Sequence, residues 1–71
     1  MKKRSVTIAG HRTSLTLEDA FWDELQQIAK LRKTSLNRLV THIDSERDLT
    51  VNLSSALRLF VLSEFKKQIR T

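Results

Sequence analysis

Between Arg12 and Leu17 the residues alternate with a period of two: Thr13, Leu15 and Leu17 fall on one side, Arg12, Ser14 and Thr16 on the other. That is the pattern of a strand buried on one face. Beyond Leu17 the apolar residues recur at helical spacing. A lone strand leaves its backbone N–H and C=O groups unpaired along both edges, and helices cannot complete that ladder. The economical solution is a second copy of residues 12–17, paired antiparallel about a two-fold axis, with Thr13, Leu15 and Leu17 turned onto the helices. A shorter alternation upstream, Val6 and Ile8 against Ser5 and Thr7, reads as a second strand or as an arm, with Gly10 allowing a turn or bend between the two.

Three helices follow. Phe21, Leu25, Ile28 and Ala29 stand at i, i+4, i+7 and i+8 with Trp22 beside them, which predicts an amphipathic helix over about 18–32. Its first turns hold Glu18, Asp19, Asp23 and Glu24 and its end Lys30, Arg32 and Lys33, an order that complements the helix dipole. Thr34 and Ser35 offer a cap, Ser35 being preferred, for a second helix over about 35–47 that carries Leu36, Leu39, Val40 and Ile43. The polar run Asp44–Asp48 ends it, and Leu49, Thr50 and Val51 read as a short extended connection. Asn52 caps a third helix, about 52–67, with Leu53, Ala56, Leu57, Phe60, Val61 and Phe65 at helical spacing and Lys66, Lys67 and Arg70 toward its end. Leu59 and Leu62 widen that stripe beyond one face, which asks for a second subunit to cover it. The chain reads as one domain: a basic arm or extra strand at 1–11, a core at 12–47, and a connector with a C-terminal helix at 48–71.

Size and composition narrow the function. A chain of 71 residues buries only about 60% of the surface its unfolded form exposes, and without cysteine it has no disulfide or thiolate zinc site to reinforce it. Oligomerisation is the remaining route, so a homodimer is expected, its core built from Leu15, Leu17, Phe21, Trp22, Leu25, Ile28, Leu36, Leu39, Val40 and Ile43. Lys and Arg outnumber Asp and Glu 13 to 8, a formal charge of +5 that suits a polyanion. The first acid is Glu18, so Lys2, Lys3, Arg4 and Arg12 stand unopposed at the N-terminal end. No apolar stretch follows Met1–Arg4 to make an export signal, and Leu59–Leu62 is too short to cross a bilayer, so the cytoplasm is the expected compartment.

These residue types fit double-stranded DNA. Arg12 can donate a bidentate pair to guanine O6 and N7, and Ser14 and Thr16 can donate to or accept from base edges, so the three are the expected base-contacting residues. The free N–H groups at the start of the second helix form an anion site, and the expected phosphate contacts are Lys33, Thr34, Ser35, Asn37 and Arg38, joined by Lys2, Lys3 and Arg4. His11 and His42 lack the spaced cysteine or carboxylate partners of a metal site, so neither metal nor cofactor is expected. Serines are plentiful but none sits in a nucleophile elbow, and catalysis is not expected. Phe21 and Trp22 follow the helix period rather than the basic residues, which makes them core and not base-stacking platforms.

The segment RTSLTLEDAFWDELQQIAKLRKTSLNRLVTHI, from Arg12 to Ile43, resembles the ribbon-helix-helix fold of Arc and MetJ type repressors. KRSVTIAGHRTSLTLEDAFW and NLSSALRLFVL resemble more closely a bacterial group of uncharacterised ribbon-helix-helix domains with an additional C-terminal helix. The resemblance implies a mainly α homodimer with an intermolecular two-stranded ribbon, Arg12, Ser14 and Thr16 as base readers, and Ser35 with its neighbours as the phosphate clamp. Two departures stand out: Lys33 occupies the turn position where the family usually has glycine, and the N-terminal extension is longer than in the simplest members. The function implied is a sequence-specific transcriptional regulator, a repressor acting as a dimer or a pair of dimers. The alternative is an antitoxin or protein-interaction module that holds a partner protein through its C-terminal helix.

Overall fold

The computed structural model describes residues 2–69, in the order β1 (Lys2–Ile8), β2 (His11–Leu17), α1 (Asp19–Leu31), α2 (Leu36–Glu46) and α3 (Leu53–Ile69). β1 and β2 form an antiparallel hairpin in which Lys3 faces Thr16, Ser5 faces Ser14 and Thr7 faces Arg12. Ala9 (φ 50°) and Gly10 (φ 81°) make the reversal. Positive φ at both central residues of a two-residue loop is the type I′ signature, whose twist matches that of the flanking strands.

Contrary to expectation, the strand is not left unpaired within the chain: β1 pairs with residues 12–17 along one edge of β2, and the opposite edge meets no strand among the described residues. Closing a two-residue loop fixes few dihedrals, and the hairpin forms without the loss of freedom that bringing in a second chain entails. Thr13 is also not buried as expected: it is exposed although its cross-strand partner Val6 is buried. α2 packs against β1, whereas α3 meets β2, where the Ser54 hydroxyl donates to the Thr16 carbonyl at 2.9 Å. The helices therefore leave the tip half of β2 uncovered.

The core joins Val6, Leu15 and Leu17 of the hairpin to Trp22, Leu25, Ile28 and Ala29 of α1, Leu39, Val40 and Ile43 of α2, and Ala56, Leu57 and Val61 of α3. The residues expected to form a dimer core thus pack together within one chain, with Phe21 and Leu36 only partly buried at its margin.

Local chemistry explains the helix ends. α1 closes with Lys33 N–H donating to Lys30 C=O at 3.1 Å and Thr34 N–H to Ala29 C=O at 3.0 Å. That pair of bonds is a Schellman motif, and it requires the left-handed φ of 55° at Lys33. The turn keeps the shape a glycine would favour and accepts a lysine in it. Lys33→Gly is expected to raise stability by about 1 kcal/mol, read as an upward shift of the urea midpoint. A lowered midpoint would show that lysine contacts outweigh the backbone strain.

Ser35 caps α2 by accepting from Arg38 N–H at 3.1 Å, and the Asn52 side chain caps α3 by accepting from Ser55 N–H at 2.9 Å, both as predicted. The connector is a turn rather than extended, because Val51 N–H donates to Asp48 C=O at 3.0 Å and the Asp48 carboxylate accepts from Thr50 N–H and hydroxyl. α3 ends at Ile69, so Arg70 lies outside the described residues.

Ion pairs hold α3 in place. Arg58 Nε meets Glu18 at 2.8 Å, and Arg32 pairs with Glu64 while lying over the Phe60 ring at 5.3 Å. The hydrogen bond from Arg58 holds the Glu18 carboxyl below its ordinary value, and the bonds from Thr50 do the same for Asp48. Burial pushes Glu64 up, but Lys67 and Arg32 outweigh it and the net direction is down. The unfolded chain therefore binds more protons than the folded one across this range. Thermal stability is expected to hold near neutral pH and to fall as the pH drops below about 4, the ordinary carboxylate range. A melting temperature that rose on acidification would contradict these directions.

Candidate nucleic-acid interface

Residues directly opposite in an antiparallel pair share a face. The outward face of the hairpin therefore carries Lys3, Ser5 and Thr7 from β1 beside Thr16, Ser14 and Arg12 from β2, and all six are exposed. Four hydroxyls lie between a lysine at the base end and an arginine near the tip. The face is about 13 Å long, four residue steps at roughly 3.3 Å each.

No acid interrupts it. The two acids nearest along the chain are Glu18, paired with Arg58, and Asp19, paired with Arg4 at 2.9 Å. Their charges are met by cations on the core side of the hairpin, so Lys3 and Arg12 dominate the field of the outward face.

Arg12, Ser14 and Thr16 thus occupy the outward positions assigned to them, and Lys3 joins them. Arg4 points the other way: besides the Asp19 contact its guanidinium lies over the Trp22 ring at 4.9 Å, which makes it a strut between hairpin and α1. The side chain of Lys2 lies outside the described residues.

The start of α2 borders the same face. Asn37 Oδ1 accepts from Thr7 N–H at 3.3 Å and the Thr41 hydroxyl donates to Thr7 C=O at 3.5 Å, so α2 satisfies both outward backbone groups of Thr7 on the edge of β1. Lys33, Ser35, Asn37 and Arg38 are exposed and Thr34 is partly buried. Ser35 and Asn37 are already bonded within the chain, through Arg38 N–H and Thr7 N–H. Lys33 and Arg38 remain as charged groups beside the helix N-terminus.

Sequence reasoning missed Ser5, Thr7 and the Asn37 tether. The signal that could have found the first two was Ala9-Gly10, a small residue and a glycine between two alternating runs. Elsewhere, among the described residues no three His, Cys, Asp or Glu side chains gather as a metal site would need, and no described helix is long and apolar enough to cross a membrane.

The ribbon-helix-helix domain family matches the chain over residues 1–65. The chain belongs to the ribbon-helix-helix family. No curated protein and no solved structure matches it. Ribbon-helix-helix domains are commonly DNA-binding regulators or antitoxins and typically dimerise. The matched residues run through the β1–β2 hairpin, α1, α2 and most of α3, an order consistent with a ribbon-helix-helix fold. α3 is apolar on two sides: Ala56, Leu57 and Val61 face the core, while Leu59 (57% exposed), Leu62 (47%), Phe65 (41%) and Ile69 (82%) face solvent.

Proposed function

We propose that this ribbon-helix-helix protein is a sequence-specific DNA-binding regulator of the bacterial cytoplasm, a repressor that lays the outward face of its hairpin in the major groove and blocks transcription by occupancy. The observation that carries the reading is the acid-free, exposed face on which Arg12, Ser14 and Thr16 stand in a row. A two-stranded ribbon fits the roughly 12 Å width of the major groove. Lys33 and Arg38 at the start of α2 supply phosphate contacts at the rim of that groove.

The protein works as a homodimer, or as a pair of dimers on DNA, and the surface that supports this is α3. The hairpin already pairs both of its strands, and α2 caps the edge of β1 at Thr7. Of the two surfaces open to a second copy, the free edge of β2 and the solvent-facing stripe Leu59, Leu62, Phe65 and Ile69, the stripe is the apolar one. Stable interfaces bury about 1,200–2,000 Å² in total. The adjoining groove of about 340 Å³ between α2 and α3 has an apolar floor of Ile43, Val51, Ala56, Leu59 and Phe60 and a polar rim of His42, Glu46, Arg47 and Ser63.

Selection of bound sequences from a random duplex pool tests the reading. Arg12→Ala is expected to lose about 1–3 kcal/mol of discrimination, whereas Lys33→Ala weakens binding to all sequences alike and lowers the salt slope by about one unit. Arg12→Ala retaining the parent's full sequence preference would remove that residue from the reading face. The same α3 stripe favours a second reading, in which it holds a partner protein as an antitoxin does. Light scattering separates the two, because a monomer at micromolar concentration would leave the stripe to such a partner.

A further inference from the structure

We infer that α3 pairs with α3 of a second copy in antiparallel register, with Lys66 of each chain reaching Glu46 on α2 of the other. The inference rests on the α3 dimer reading above and deepens it: the apolar stripe only locates the interface, whereas the charges fix its direction and register.

Leu59, Leu62, Lys66 and Ile69 stand at i, i+3, i+7 and i+10 along α3, the heptad spacing of a helix-pairing seam, and all four are exposed. The seam is about 15 Å long at 1.5 Å per residue. Phe65 flanks it on the α1 side, beside Ile28 and Glu24. A charged residue inside an apolar seam weakens association in general and discriminates among arrangements, because each arrangement surrounds it with different groups.

Lys66 decides the direction. In a parallel pair residues of the same number meet, so two Lys66 ammonium groups would face each other across a seam that holds no acid. In an antiparallel pair centred near Leu62, Leu62 meets its own copy and residue 66 of one chain comes beside residues 58 and 59 of the other. α2 ends at Glu46 and α3 begins at Leu53, so the C-terminal end of α2 lies alongside the first half of α3. Glu46 lines the groove there, together with Ala56 and Leu59. The antiparallel arrangement therefore delivers the ammonium to a carboxylate, and it also sets opposite ends of the two helix dipoles together.

Both charges are uncommitted in the single chain. On α2 and the connector, Asp44 pairs with Arg47 and Asp48 accepts from Thr50, whereas the Glu46 carboxylate has no bond among the described residues. On α3, Arg58 pairs with Glu18 and Lys67 with Glu64, whereas Lys66 has no partner among the described residues. Arg47, the cation next to Glu46 on the rim, is held by Asp44 and by the Val51 carbonyl. A two-fold axis forms the Glu46–Lys66 contact twice. Reaching α2 also enlarges a contact that three apolar seam residues alone would leave small beside the roughly 1,200–2,000 Å² of a stable interface.

The test measures dimer dissociation by sedimentation equilibrium for the parent, Glu46→Lys, Lys66→Glu and the double variant. It also follows disulfide formation on oxidation of Leu62→Cys and Ile69→Cys, the chain having no cysteine of its own. Each single reversal is expected to weaken the dimer about tenfold at low salt, two attractions becoming two like-charge contacts, and the double variant to return within about threefold of the parent. Leu62→Cys should crosslink and Ile69→Cys should not. All four positions are exposed, so every variant should keep the parent's circular dichroism. A monomeric parent, or a dimer that Leu62→Cys does not crosslink, removes α3 as the interface and the inference with it. A dimer crosslinked at both Leu62→Cys and Ile69→Cys is parallel. One whose single reversals change nothing, or whose double variant stays as weak as the singles, lacks the Glu46–Lys66 contact. In those cases the inference falls while the α3 dimer stands.

Discussion

Replacing Leu62 and Ile69 together by lysine is expected to convert a dimer into a folded monomer and to weaken operator binding by about 10²- to 10⁴-fold. Both side chains point to solvent from α3 and neither belongs to the buried cluster, so the single chain loses none of its own core. The loss in binding comes from separating two hairpins that a dimer presents as one ligand: the second hairpin then binds from bulk solution rather than at the millimolar effective concentration its partner supplies. Light scattering gives the mass and a gel shift on the selected operator gives the affinity. A dimer that survived both lysines would remove α3 as the interface and turn attention to the uncovered half of β2, where residues 12–14 are exposed on the free edge.

The second large effect is on folding. Leu57 is fully buried on the opposite side of α3, within the cluster that joins the hairpin and all three helices. Leu57→Ala is expected to cost about 2–5 kcal/mol, the transfer loss plus the cavity left behind. A domain's whole stability is roughly 5–15 kcal/mol, so the change removes a large share of it. Urea unfolding followed by circular dichroism should show a much lower midpoint with an unchanged slope. A shift under about 1 kcal/mol would mean that α3 is not part of the cooperative unit, and α1, α2 and the hairpin would then have to stand without it.

The two experiments probe opposite faces of one helix. The inward face, through Leu57 and Val61 and the Arg58–Glu18 and Arg32–Glu64 pairs, fastens the helix to the fold. The outward face is unspent in the single chain.

Much of this was legible beforehand because it is local. The three helices follow from the spacing of Phe21, Leu25 and Ile28, of Leu36, Leu39 and Val40, and of Ala56, Leu57 and Val61, and their caps at Ser35 and Asn52 lie within three residues of the groups they satisfy. The outward placement of Arg12, Ser14 and Thr16 was legible for the same reason, since alternation along a strand needs no knowledge of the partner. β1 was harder to read because Lys2, Lys3 and Arg4 open it, and three successive cations do not look like half of a buried ribbon. Arg4 makes sense there only once Asp19 and Trp22 are seen to receive it.

By itself, then, the order of residues determined the three helices, the caps at Ser35 and Asn52, the polar face of β2 and the basic character of the N-terminal end. Only the tertiary structure decided that β2 pairs with its own chain, that Arg4 turns inward while Lys3 turns outward, and that Asn37 and Thr41 pin Thr7 from thirty residues away. The physical reason is range. Periodicity and capping act within a turn or two of the chain, while strand pairing and ion pairing depend on which distant groups meet in space, and that is settled by the packing of the whole core.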